Sequence, residues 1–119
     1  MLIVTMRGKL EQMYGSDGYT SVRSALNDFA LAAGGFALAL DDSSECRPLG
    51  LNPAPGVDSG SILLGIRAAR NRLGALADSL LLAGGDAVVP YFQLTNPVTD
   101  RILDKDTVVL SDNPYGAND

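Results

Sequence analysis

Three aspartates follow apolar runs in this chain. Asp41 and Asp42 close "FALALDD", and Asp86 follows the two glycines of "LLLAGGDAVVPYF". Carboxylates gathered at one edge of a sheet make an oxygen-rich seat for Mg²⁺ or Ca²⁺, and a pair of acids after a strand is also what phospho-receiver domains use. A receiver further needs a phospho-acceptor aspartate after a central strand and a lysine after a later one. The only late lysine is Lys105, in a stretch that reads as a loop. Near the end, "SDNPYGAND" places Asp112, Asn113, Asn118 and Asp119 among turn formers. Clustered oxygens of this kind suit a weak Ca²⁺ loop, although the EF-hand spacing and its distal glutamate are missing. Asp41, Asp42, Asp86, Asp112 and Asp119 are therefore the candidate ligands for Ca²⁺ or Mg²⁺. The competing role of each is the commoner one, solvating a turn or capping a helix, with no metal and no cofactor.

Other chemistry is excluded by what is missing. The chain has no histidine and one cysteine, Cys46. Ser-His-Asp and Cys-His catalysis and histidine-ligated zinc are thus absent from these residues, and no intrachain disulfide can form. Cys46 lies between Glu45 and Arg47. Arg47 would lower its pKa slightly, but a nucleophile also needs a base, and none is adjacent. Gly8-Lys9 lacks the surrounding G-x-x-x-x-G-K-[ST] of a phosphate loop, and "TMRGKLEQ" after the first apolar run is no dinucleotide fingerprint. No catalytic and no cofactor-binding residue is expected. A net charge of −5, a pI near 4.4 and no tryptophan speak against nucleic acid as a partner. No apolar run approaches the roughly 20 residues of a membrane span, and "MLIVTMRGK" reverses the order of a secretory signal.

The elements that must position these residues follow from hydrophobic periodicity. Leu2–Thr5 reads as a buried strand. Leu10, Met13 and Tyr14 give one helical turn, which Gly15 and Gly18 are expected to break. Asp17 or Thr20 then caps a helix whose Val22, Ala25, Leu26, Phe29 and Ala30 make one stripe, ended by Gly34-Gly35. "FALAL" is a strand apolar on both faces, as in a sheet covered on both sides. Residues 43–59 are rich in Ser, Pro and Gly and read as an irregular excursion. Asp58 or Ser59 caps a helix over about 61–77 with Ile62, Ile66, Ala69, Leu73 and Leu76 on one face. "SLLLAGG" is a third strand, "AVVPYFQL" an extended piece held to an edge by Pro90, and "TVVLS" a further short strand. The alternation predicts a single α/β domain over 1–119, a three-layer Rossmann-like or caspase-like sandwich with a short, mostly parallel sheet. Ligands of such sheets sit beyond the carboxyl ends of the strands, here Thr5-Met6-Arg7, Asp41-Asp42 and Gly84-Gly85-Asp86.

Three segments, in order, resemble gingipain-like cysteine peptidases, which have a caspase-like fold. The opening "LIVTMRGKLEQMYG" is similar to that family's first strand and helix. "LLLAGGDAVVPYF" resembles its L-L-x-G-D-x-x-x-I-P segment through Asp86, Val89 and Pro90. "SDNPYGAND" resembles its S-D-x-x-Y-G…N-D segment through Ser111, Asp112, Tyr115, Gly116, Asn118 and Asp119. The resemblance implies the first, non-catalytic subdomain of such a peptidase. The family's catalytic histidine and cysteine lie in a second subdomain, and neither motif occurs here, so no catalytic residue carries over. It also implies a piece of a longer protein, inactive alone in proteolysis, whose partner is the remainder of the parent peptidase. Self-association through the exposed partner surface is a further expectation. A small receiver-like or divalent-metal-binding module using Asp41, Asp42 and Asp86 is the alternative, and a plain protein-interaction module a third.

Overall fold

The structure is a computed structural model that describes residues 1–90, 92–95, 108–111 and 113–116. Strand β1 (Leu2–Thr5) leads into helix α1 (Arg7–Ala33), strand β2 (Phe36–Ala39) and a short helix α2 (Ser43–Cys46). Helix α3 (Ser59–Leu73) follows, then strands β3 (Leu80–Leu82), β4 (Phe92–Thr95) and β5 (Val108–Ser111), and one turn of helix α4 (Asn113–Gly116). The first three strands form a parallel sheet in the order β2-β1-β3, with Ile3 level with both Ala37 and Leu81. Strands β4 and β5 form a separate antiparallel pair, Phe92 level with Ser111. The expected small α/β architecture with a parallel sheet is therefore present.

Residues of a strand alternate between faces, and the two faces of this sheet are covered differently. Leu2, Val4, Leu38 and Leu40 pack with Ile62, Ile66 and Ala69 of α3, all buried. Full burial of one isoleucine stabilises by roughly 1.5–3 kcal/mol, so this layer is the larger contributor. On the opposite face Ile3 and Ala37 pack under Ala30 and Leu26 of α1. Asp58 starts α3 as expected, accepting from the Ser61 amide at 3.1 Å.

Several local expectations are corrected. Gly18 does not break the first helix. Gly15 alone leaves helical geometry, at φ 75° and ψ 174°, and α1 continues on both sides of that kink. The positive φ is open to glycine at no steric penalty, which is why the kink falls there. Ala25 and Phe29 are expected on the buried stripe but are exposed, because the side of the helix that packs on the core is the narrower line of Val22, Leu26 and Ala30 at four-residue spacing. The excursion after β2 is partly ordered as α2 and a 3₁₀ turn over Arg47–Leu49. Helix α3 ends at Leu73, and a 3₁₀ turn over Gly74–Ala77 leaves Leu76 exposed rather than on the inner face. "AVV" is not extended. Val88 and Val89 donate their amides to the Gly85 carbonyl at 3.1 and 2.9 Å, making a tight turn. A Cβ on Gly84 would lie 2.5 Å from the Val88 side chain, so the glycine is needed for the close approach of that turn. No helix among the described residues is long and apolar enough to cross a membrane.

Candidate functional site

Asp41 and Asp42 lie just past β2, beside the start of α1. Helix α1 begins at Arg7 with Met6 at its cap position, and Met6 has no side chain that can accept a hydrogen bond there. The free amides of its first turn are met by a distant carboxylate. Asp41 accepts from the Arg7 amide at 2.6 Å and from the Gly8 amide at 2.8 Å. A helix N-terminus is a natural anion seat, and here the chain fills it with its own residue. Asp42 caps α2, accepting from the Ser44 amide at 2.9 Å and the Ser44 hydroxyl at 2.6 Å, and it also accepts from Arg7 Nη1 at 2.8 Å. Burial works to raise the Asp42 pKa, but the bonds from Ser44 and Arg7 outweigh it and hold the carboxyl below its ordinary range.

Asp86 stands elsewhere. It sits exposed in the turn after β3. Its charge is felt by Tyr115, whose phenol is pushed up to about 12 by burial first and then by Asp58 and Asp86. The three aspartates are thus not one metal-ligand group, and among the described residues no three Cys, Asp or Glu side chains are grouped to hold a metal ion. Asp41 and Asp42 come together, each already committed to a helix terminus. The other candidate ligands, Asp112 and Asp119, lie outside the described residues, as does Lys105.

Beside Asp42 a set of side chains gathers that the sequence reading left unassigned. Arg23, from the second half of α1, donates through Nε to Glu45 Oε2 at 3.1 Å and through Nη2 to Glu45 Oε1. It also donates through Nη2 to the Ala37 carbonyl at 2.8 Å and through Nη1 to Asn27 Oδ1 at 2.6 Å. Glu45 accepts further from the Ala39 amide at 3.3 Å and from the Tyr19 hydroxyl at 3.4 Å. The Arg7 guanidinium lies 5.2 Å from the centre of the Tyr19 ring, a cation–π contact. Burial first, and then Glu45, push the Tyr19 phenol up to about 12. Desolvation opposes the charge on Arg23, but its bonds to Glu45 raise its pKa above the ordinary value.

Two depressions flank this pair. One, of about 400 Å³, is bounded by Arg7, Tyr19, Asp42 and Ser44. The other, of about 360 Å³, runs along β2 past Leu31, Phe36 and Leu38. Arg23, Asn27 and Glu45 line both. The polar atoms there are turned on each other. Arg23 makes four donated bonds, and both Glu45 oxygens are occupied. The arrangement can hold two elements in place, but it offers no poised acid, base or nucleophile.

Cys46 conforms to that picture. It is buried, with its thiol aimed at the Ala39 and Leu40 carbonyls at 3.7 and 3.5 Å. Burial first, and then the charges of Glu45, Asp42 and Asp41, push its pKa up, against the small lowering expected from Arg47. A thiol held in this way is inert. One sequence signal for the missed pair was available: Asp42 and Glu45 have the spacing of a helix-capping box, which marks Glu45 as a first-turn residue rather than a loop acid.

No family model matches the chain, and neither a curated protein nor a solved structure matches it significantly.

Proposed function

We propose that this chain is a non-catalytic α/β unit whose role is to support a neighbouring unit along the outer side of β3. The observation that carries the proposal is the unequal cover of one sheet face. Ile3, Ala37 and Leu81 are level and share a face. Ile3 and Ala37 are buried beneath α1, whereas Leu81 is 39% exposed, with Leu76 at 53% just before the strand. Among the described residues β3 has no strand on its outer side. An apolar, unpaired parallel strand is a ready partner for more sheet, since parallel strands are ordinarily covered on both faces.

On the resemblance of its three segments, the supported neighbour is the catalytic half of a gingipain-like cysteine peptidase. Two of those segments meet in space, which is consistent with their serving one structural purpose. The Tyr115 hydroxyl donates to the Pro90 carbonyl, and the Phe92 ring meets Tyr115 edge-on at 5.0 Å. The test is light scattering across a concentration series, together with an assay on fluorogenic Arg-, Lys- and Asp-containing peptides. The expected outcome is self-association that Leu81→Glu suppresses, and no turnover. A chain that stays monomeric at high concentration, or turnover blocked by a thiol reagent, defeats the proposal.

A further inference from the structure

The opposite edge of the sheet carries an inference that does not rest on the support role. In β2, the Phe36 amide donates to the Met1 carbonyl and the Leu40 amide to the Thr5 carbonyl. This parity turns the amides of Phe36, Leu38 and Leu40 towards β1 and leaves the Ala37 amide and carbonyl and the Ala39 amide facing outwards, while the Ala39 carbonyl accepts from the Asp42 amide at 3.2 Å and the Leu40 carbonyl from the Ala54 amide at 2.8 Å. An outward row of this kind is a template for another strand. Here two of its groups, the Ala37 carbonyl and the Ala39 amide, are occupied by side chains. Arg23 Nη2 donates to the Ala37 carbonyl at 2.8 Å, and Glu45 Oε1 accepts from the Ala39 amide at 3.3 Å. Arg23 and Glu45 are paired with each other and only 14% and 22% exposed. They come from helices on either side of the strand in sequence, so the lock closes only when α1, β2 and α2 are all assembled.

The geometry points to an edge lock: the Arg23–Glu45 pair imitates a neighbouring strand and keeps β2 from pairing with a second copy of this chain. A second copy is the occupant that the edge itself specifies. An outward strand edge is self-complementary about a two-fold axis, and "FALA" offers small and apolar side chains with no charge to repel its twin. In the neighbouring depressions Arg23 and Glu45, which line both, are already bonded to each other and to the strand edge.

The test is the double variant Arg23→Ala/Glu45→Ala made in a Leu81→Glu background, which removes the β3 surface from the measurement. Light scattering is expected to show a doubling of mass with rising concentration, reversed on dilution, with helix content retained by circular dichroism. A folded variant that stays monomeric overturns the lock. If the double variant does not fold, amide exchange in the unsubstituted chain decides. The Ala39 amide, held by Glu45, is expected to exchange about tenfold or more slowly than the Ala37 amide, which has no such acceptor in its outward direction. Equal rates overturn the lock. Loss of the β3 role leaves both readouts unchanged, so the two proposals fail separately.

Discussion

On β2 the outward Ala37 carbonyl and Ala39 amide are engaged by Arg23 and Glu45, and both faces of the strand are covered. On β3, Leu81 is partly open to solvent and no strand lies alongside among the described residues. Both strands are short, parallel and apolar, so intrinsic β preference does not separate them. What separates them is where the long-range polar contacts fall. The β2 side receives Arg23 from α1 and Glu45 from α2, whereas β3 is followed by a tight turn at Gly84-Gly85. Among the described residues the sheet is closed by side chains on the β2 side and carries no further strand on the β3 side, an arrangement suited to growth in one direction.

The largest expected effect comes from breaking the lock on one side only. Arg23→Ala leaves Glu45 mostly buried without its cation and leaves the Ala37 carbonyl without its donor. Removing one partner of a buried ion pair costs about 3–5 kcal/mol, and the residual exposure of this pair brings the expectation to about 2–3 kcal/mol. Urea denaturation measures it. A loss below about 0.5 kcal/mol would mean that solvent already satisfies both groups, and the contrast between the edges would disappear. Removing both partners is expected to destabilise less than the sum of the single changes, because no unpaired charge remains.

Asp41→Ala is next. It leaves two amides of the first turn of α1 without their acceptor, and lost caps of this sort cost about 1 kcal/mol. The change leaves β3 untouched, so amide exchange should quicken at Arg7 and Gly8 and remain as before at Leu81. Uniform quickening would show that α1 and β3 open together, and the comparison would have to be drawn between layers instead of edges.

These contacts also mark what was legible from sequence. The three parallel strands, Ile62, Ile66 and Ala69 on the inner face of α3 and its Asp58 cap follow from local periodicity and capping chemistry, whereas Leu76 and the turn at Val88-Val89 depart from the pattern. The kink at Gly15 was half legible: glycine signals a break, but only packing decides that the chain resumes as helix beyond it. Asp41 was read as a turn acid or a metal ligand because its true partners, the amides of Arg7 and Gly8, lie more than thirty positions away. Arg23 does not belong to the apolar stripe of Val22, Ala25, Leu26, Phe29 and Ala30, and the stripe alone gives it no role. In the fold its flank of the helix faces a strand edge, a distinction that periodicity does not encode.

Acid gives a third, smaller effect on the β2 side. The folded-state pKa of Asp42 is depressed, so its contribution to stability is present above the unfolded value of 3.8 and is lost as pH falls through the lower folded value. Melting temperature should therefore decline below about pH 4, and Asp42→Asn should flatten that decline. If the slope is the same in the variant, the bonds from Ser44 and Arg7 do not favour the charged form.

Leu81→Glu is expected to change least in the isolated chain. Its side chain is already partly solvated, so the loss should stay within about 0.5 kcal/mol, as at most surface positions. The informative result is the pairing of that small loss with a large change in association. Stability without the neighbour does not depend on Leu81, but the apolar surface offered to the neighbour does. If Leu81→Glu instead unfolds the chain, Leu81 belongs to its core. In that case the asymmetry of the sheet lies in how each edge is covered and not in whether it is covered.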